Sequence, residues 1–396
     1  MDRISLKLPG YYSLEDLLAL SSHVDQDIRL AAEHLGIAID NCFGQEVVAS
    51  AEAKRLLDHL MRTQSRALPP GFSAIRLVAL MRRAIAATGL DLSDMTVLTE
   101  AASGAYGVTP IIAAMAGARR VHAFTRPSRY GSVLDVTDWT SQLATAAGVA
   151  AHIDIIEEVS PNILGNVDIV TNSGHLRPLT TDLIDHLPDS AVIALMFEAW
   201  EFRSEDIDLQ ACRRRCIPVV GVNERHEAVD VFSFLGPLCA KELHDCGLAV
   251  CRNRIALICD NEFTEPIMRG LVGLGAHVDA FENVAAMYPD EWDAVVVALL
   301  PACEPRIGYA EARHFAAMIP PEAVIVQFWG DMDRQAIMSQ SLNVWPTQPP
   351  PAGHMAVLLS QIGPEPIVRL QTGGLRAAEW VRRGGTASPN GLAQLV

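Results

Sequence analysis

The chain has 396 residues, half of them apolar and a fifth charged, with a net charge of -16 at pH 7. That length exceeds one ordinary core, so two domains are expected with room for a smaller element. The acidic balance argues against a nucleic-acid surface, which needs Lys and Arg to neutralise phosphates.

No apolar run reaches the roughly 18 residues that would span a bilayer, and the opening stretch has no apolar core behind a basic start, so a cytoplasmic protein with no membrane partner is expected. The eight cysteines lack the paired spacing of a zinc site. Cys212 and Cys216 could share a helical face, but no second pair lies near, so no metal is expected.

Residues 1–90 read as a helical region, because DIRLAAEHLGI, AEAKRLLDHLMR and AIRLVALMRRAIAATG repeat apolar residues at three- and four-residue spacing. Pro69-Pro70-Gly71 breaks the run and starts the third of these helices. The region suits an accessory layer or an oligomerisation element, and a homodimer is expected.

From 91 to 230 the texture changes to short apolar runs alternating with helical segments: TVLT at 96, RVHAF at 120, HIDII at 152, VDIVT at 167, AVIALMF at 191 and IPVVGV at 217. Continuous apolar strands separated by helices predict a parallel sheet covered on both faces. A connecting helix is expected within 231–249. A second series follows at 250–345, with RIALIC, HVDAF, DAVVVAL, AVIVQF and LNVWP, and NEFTEPIMRGLVGLGA as its first crossover helix. Residues 346–396 hold a Pro-rich loop, a last helix and a polar tail, expected to pack back on the first lobe with the end of the tail loose. The expected fold class is therefore α/β, with two Rossmann-like parallel-sheet lobes and a helical N-terminal region.

The turn after the run at 96 carries the chemistry. Ala102, Gly104 and Gly107 stand at the positions of G-x-G-x-x-G, with Ala in place of the first Gly. Such glycines let the backbone turn sharply, approach a pyrophosphate and pack helix on strand. Strand, turn, helix and next strand follow within about 30 residues, as the motif requires. Glu100, Ser103, Gly104, Tyr106 and Gly107 are thus candidate cofactor residues. At the end of the second strand an acid would take a free ribose diol, but this chain has Thr125, Arg126, Ser128 and Arg129. Guanidinium groups there suit a ribose phosphate, so NADP fits better than NAD.

Ligands of open α/β sheets bind beyond the carboxyl ends of the strands. Asn172 and Ser173 stand at one such end and join the cofactor candidates, with His175 a possible proton carrier and Arg177 an anion ligand. After the run at 191, Glu198, Trp200, Glu201 and Arg203 mix carboxylates with an aromatic, so Glu198 or Glu201 could exchange protons. Arg203, Asn223 and Glu224 complete the substrate candidates. Asp260-Asn261-Glu262, Trp329-Gly330-Asp331 and Gly353-His354-Met355 are candidates for closing the cleft from the second lobe.

Residues 96–130 resemble NAD(P)-binding Rossmann proteins, and the double set of α/β units resembles the two-lobed D-2-hydroxyacid dehydrogenases and adenosylhomocysteinases. In those families the glycine turn sits in the later lobe, whereas here LICDNEFTEPI has none of the glycines, and no catalytic residue carries over. Glu100, Gly104 and the Gly117-Ala118 pair also resemble class I methyltransferases, although Thr125 replaces their ribose-binding acid. These resemblances imply an NAD(P)-dependent oxidoreductase acting on a small polar metabolite in an interlobe cleft, with NADP preferred on account of Arg126, Ser128 and Arg129. The alternatives are a methyltransferase using S-adenosylmethionine, or a non-catalytic nucleotide-binding sensor or scaffold.

Overall fold

A computed structural model describes residues 69–128, 130–388 and 391–396, together with 11–13, 29, 32, 37–42, 45–49, 52, 53 and 56. The chain forms two compact units, Met1–Pro70 and Gly71–Val396. In the first, β1 (Tyr11–Ser13), β2 (Asp40–Cys42) and β3 (Gln45–Ala49) make an antiparallel sheet with β3 in the middle. The expectation of a helical region at 1–90 is therefore corrected: helical residues occur at 29, 32, 52, 53 and 56, but strands occupy 11–13, 40–42 and 45–49. Only Phe43-Gly44 separates β2 from β3, a hairpin-length connection, and the adjacent Val47 and Val48 favour extended backbone.

The helix expected at 74 forms as Ala74–Thr88 but belongs to the second unit, so the observed division falls at Pro70 rather than 90. Ser73 caps its start by accepting from the Arg76 N–H, and Gly89, at φ +64°, ends it. Its apolar stripe of Leu77, Val78, Met81 and Ala84 enters the core of the first lobe.

That lobe contains β4 (Thr96–Glu100), β5 (Arg120–Phe124), β6 (Ile153–Ile156), β7 (Ile169–Thr171), β8 (Val192–Ala194) and β9 (Val219–Val222), all mutually parallel. Spatially they run β6-β5-β4-β7-β8-β9, the 3-2-1-4-5-6 order of dinucleotide-binding sheets, whose crevice opens between the first and fourth strands. Both faces are covered, so β4, β7, β8 and β9 are buried along their whole length.

The second lobe follows the expected connecting helix, observed as Leu235–Asp245. Its strands β10 (Arg254–Ile258), β11 (His277–Phe281), β12 (Ala294–Ala298), β13 (Val324–Trp329) and β14 (Asn343–Trp345) are parallel in the order β11-β10-β12-β13-β14. The other common doubly wound arrangement has this 2-1-3-4-5 order. The helix Thr264–Gly273 crosses between β10 and β11, as its sequence pattern predicted.

The chain then returns to the first lobe. The helix Glu365–Arg382 packs on β8, β9 and the helix Ala74–Thr88. Close fit explains its small residues, since a Cβ on Gly373 would meet Val229 at 2.7 Å and one on Gly374 would meet Met196 at 2.8 Å. The end of the tail is not loose: β15 (Ala393–Leu395) adds a seventh, antiparallel strand beside β9 and covers an edge that would otherwise expose backbone. Among the described residues no helix is long and apolar enough to cross a membrane.

Candidate functional site

The glycine turn lies at the carboxyl end of β4, where the order of the sheet reverses. Gly104 opens a short 3-10 stretch, Gly104–Val108, with φ +60°, and a Cβ built there would meet nothing within 4 Å. Gly107 is the opposite case: its Cβ would lie 2.6 Å from the Ala102 carbonyl oxygen and 2.9 Å from the Trp139 ring. One glycine thus leaves free space over the backbone, as a turn that approaches a pyrophosphate requires, while the other lets the turn close on itself and against the helix Val133–Ala147. Trp139, on the helix Val133–Ala147, also donates its indole N–H to the Gly104 carbonyl at 3.0 Å.

Around this turn the strand ends supply buried groups. Asn172, after β7, is fully buried; its side-chain oxygen accepts from Arg177 Nε at 3.1 Å, but its Nδ2 has no partner. Thr125, after β5, is likewise buried with an unpartnered hydroxyl. Burying polar atoms without partners costs free energy, and these two flank the crevice, one on each side of β4. They are unpartnered polar atoms beside the point where the strand order reverses.

Glu100 is buried at the end of β4 and its Oε2 accepts from the His175 N–H at 2.9 Å. Burial raises its pKa, with that hydrogen bond and the nearby His175 and Arg177 opposing the rise. Ser173 exchanges a hydrogen bond with Thr171, and Ser103 precedes the 3-10 stretch without capping it. Tyr106 is held in the turn itself, where burial, helped by Glu100, raises its phenol pKa.

Arg126 is exposed; its backbone N–H reaches His175 Nδ1 at 3.1 Å and its guanidinium touches the Arg177 carbonyl at 3.4 Å. Ser128 accepts from the Tyr130 N–H within its own turn, and Arg129 lies outside the described residues. Arg177 is committed to structure: it donates to Asn172, sits 3.5 Å from Asp206 and lies over the Phe197 ring.

A second group of expected residues meets between the lobes, beyond β8 and β9. Glu198 is buried and accepts from Trp200 Nε1 at 2.6 Å and from the Glu224 N–H at 3.0 Å, with Arg225 Nε 3.5 Å away. Arg225 also forms an ion pair with Glu262 of the second lobe. Burial, and then the neighbouring Glu198, push the Glu201 carboxyl up to about 7 despite an opposing backbone hydrogen bond. Burial and the same two glutamates push Glu224 well above the usual carboxylate range. Asn223 accepts from the Arg225 N–H at 3.0 Å.

Arg203 Nη1 lies 3.1 Å from His354 Nε2, a hydrogen bond that needs a neutral imidazole. Burial and the Arg203 charge lower the His354 pKa accordingly. Trp200 approaches Trp329 at 5.7 Å between ring centroids, and Trp329 stacks on Phe263 at 4.8 Å.

The corresponding crevice of the second lobe is filled by its own side chains. Asp260 accepts from the Leu300 N–H at 3.0 Å and pairs with Arg306 at 2.7 Å, while Asn261 donates to the Ala298 carbonyl at 2.7 Å. The ends of β10 and β12 are thereby tied together. An open depression of about 510 Å³ lies farther along the first lobe, lined by Pro178, Thr181, Asp182, Phe202 and Ser204 among others. No residue of the glycine turn borders it. Among the described residues no group of three or more His, Cys, Asp or Glu converges to hold a metal ion, and the cysteines from Cys212 onward are free thiols.

Sequence reasoning named most of these side chains, but it missed Trp139, Arg225 and Phe263. Trp139 is invisible because it reaches the turn from a helix 35 residues on. Arg225 carried a signal, since it directly follows the polar pair Asn223-Glu224 at a strand end.

The architecture defines a two-lobed α/β protein with Rossmann-like parallel sheets. Solved structures similar to it include a dipicolinate synthase chain from Bacillus halodurans, at 12% identity over 74% of this chain and 98% of that one, with a TM-score of 0.46. Its counterpart from Bacillus subtilis, also a dipicolinate synthase, is 10% identical over 75% and 99%, with a TM-score of 0.49. NAD-dependent formate dehydrogenase from Staphylococcus aureus, in complex with NAD, is 12% identical over 74% and 97%, with a TM-score of 0.44. No family model matches the chain, and no curated protein matches its sequence. Likeness at this level concerns the fold; function has to be argued from the site.

Proposed function

We propose that the chain is an NAD(P)-dependent oxidoreductase that prefers NADP and holds a small polar metabolite between its lobes. The observation that supports it best is the division of labour in the glycine turn: open space over Gly104 and tight packing at Gly107, at the switch point of a 3-2-1-4-5-6 sheet. In this reading the backbone of residues 103–107 takes the pyrophosphate, and the free Asn172 amide and Thr125 hydroxyl take further cofactor atoms. Arg126, with Ser128 and Arg129, receives the ribose phosphate.

The bound nucleotide would supply the hydride chemistry. The chain's own contribution is position and a proton: Glu201, whose carboxyl sits near neutrality, can give or take one at physiological pH. Glu198 holds its neighbours in place through the Trp200 indole and the Glu224 backbone. Methyl transfer is the second reading, favoured by the buried acid Glu100 directly before the turn.

A thermal-shift panel with NADP, NAD and S-adenosylmethionine tests the reading on wild-type and Arg126→Ala protein. At about 100 times its dissociation constant a ligand adds about 2.7 kcal/mol to the folded state. NADP should shift the wild type most, and Arg126→Ala should weaken NADP about tenfold while leaving NAD nearly unchanged, since one charge-assisted contact is at stake. A shift with S-adenosylmethionine alone would transfer the assignment to methyl transfer. No shift with any of them would leave the turn as structure only.

A further inference from the structure

Two of the three interlobe carboxyls, Glu224 and Glu201, form no ion pair among the described residues. Glu224 is 9% exposed, at the end of β9, and its side chain makes no hydrogen bond or ion pair among the described residues. The dominant influences on it are burial, Glu201 and Glu198, with no positive charge among them. Glu201 has no hydrogen-bond or ion-pair partner for its carboxyl among the described side chains either, and of the nearby cations only Arg203 acts on it.

Of the two arginines at the margin, Arg225 is ion-paired with Glu198 and Glu262, while Arg203 hydrogen-bonds a neutral His354 and keeps its charge. A buried carboxyl without a donor is costly; Glu224 is such a group, and Glu201, from the preceding strand end, has only a backbone hydrogen bond from Glu198.

One side of this group is aromatic. Trp200, half exposed, is fixed to Glu198 by its indole N–H, and the buried Trp329 and Phe263 stack behind it on the second lobe. A positive charge beside an aromatic face gains about 0.5–2 kcal/mol beyond its ion pairing. A metal ion does not suit the group, because among the described residues no such cluster converges on one point. An anionic substrate would meet three carboxyls against the single uncompensated guanidinium of Arg203.

We propose that the interlobe site binds an organic cation, an ammonium or guanidinium group on an apolar or aromatic body, with Glu224 and Glu201 as its counter-ions and Trp200, backed by Trp329, as its wall. The cation is the substrate of the proposed oxidoreductase, and in that respect the inference rests on the reading above.

The test uses a set of small molecules matched in shape and different in charge. Benzylamine, benzyl alcohol and benzoate are titrated calorimetrically into the full chain at pH 7, with and without NADP. Benzylamine should bind at least about tenfold more tightly than the alcohol or the acid, and Glu224→Gln should remove about ten- to a hundredfold of that affinity.

Glu201→Gln serves as the second variant, with a smaller loss because Arg203 is close. Benzoate binding as tightly as benzylamine, an unchanged affinity in both variants, or no amine binding in either condition would overturn the inference. The NADP-induced thermal shift, recorded on the same samples, keeps the two ideas apart. Loss of that shift with amine preference intact refutes the dinucleotide assignment alone, and a normal shift without amine preference refutes the cation site alone.

Discussion

Two alanine substitutions, three residues apart, should fail in opposite ways. At Gly104 the new methyl enters open space, so no protein atom is displaced. The remaining cost is the left-handed backbone at φ +60°, about 1–2 kcal/mol for a residue with a Cβ. At Gly107 the methyl would press on the Ala102 carbonyl at 2.6 Å and the Trp139 ring at 2.9 Å. Backbone cannot step aside cheaply, and overpacking of this kind costs about 1–3 kcal/mol or more.

If the space over Gly104 is where a pyrophosphate lies, Gly104→Ala also removes that space, and NADP affinity should fall at least about tenfold, beyond what lost stability explains. Gly107→Ala should lower the melting temperature more and reduce NADP affinity only through distortion of the turn. Chemical denaturation gives the stability of each variant, and fluorescence titration with NADPH gives its affinity. Gly104→Ala that binds NADPH like wild type would refute the cofactor role of the turn, because it would show that nothing needs the space above it.

Glu242 offers a test of pH dependence away from the cleft. It is buried on the helix Leu235–Asp245 with both carboxylate oxygens unpartnered, and burial pushes its pKa from 4.5 up to about 8, with Asp245 adding and Arg334 opposing. Between these values the unfolded chain releases a proton that the folded chain keeps, so stability falls as pH rises through the window and levels off above it. The fall contributed by this group is at most about 5 kcal/mol. Glu242→Gln should be more stable than wild type at pH 8 and nearly equal at pH 4.5; urea melts showing the same difference at both pH values would contradict the assignment. Trp139→Phe keeps an aromatic ring beside the turn but loses the indole N–H that donates to the Gly104 carbonyl. It should cost about 1 kcal/mol of stability and weaken NADPH several-fold; unchanged NADPH affinity by fluorescence would show that the bond does not hold the turn for the cofactor.

The parallel sheets were legible because their strands are buried on both faces. TVLTE, AVVVA and VIVQFW need no partner sequence to be recognised, and the helices between them follow from spacing and punctuation such as Gly275 after Thr264–Gly273. Short antiparallel pieces carry no such signal. Ala393–Leu395 is a strand only because β9 presents an open edge to it, and Asp40–Cys42 only because Gln45–Ala49 lies beside it. Both depend on pairing that no local pattern reports.

Candidate site residues divide in the same way. Glu100, Gly104 and Gly107 could be placed from strand and turn alone, since chain direction fixes where a strand end points. What each carboxyl does could not. Glu198 and Glu201 are three residues apart and look interchangeable in sequence. In the fold one collects an indole N–H, a backbone N–H and a nearby guanidinium, while for the other burial and the neighbouring Glu198 outweigh a single backbone hydrogen bond and the Arg203 charge. The same contrast separates Arg177, which sequence offered as an anion ligand, from a usable one, because its donors are spent on Asn172 and its charge sits beside Asp206. The unpaired Glu224 beside Glu198 and Glu201 is likewise invisible in the sequence, because that grouping exists only once the ends of β8 and β9 are brought together.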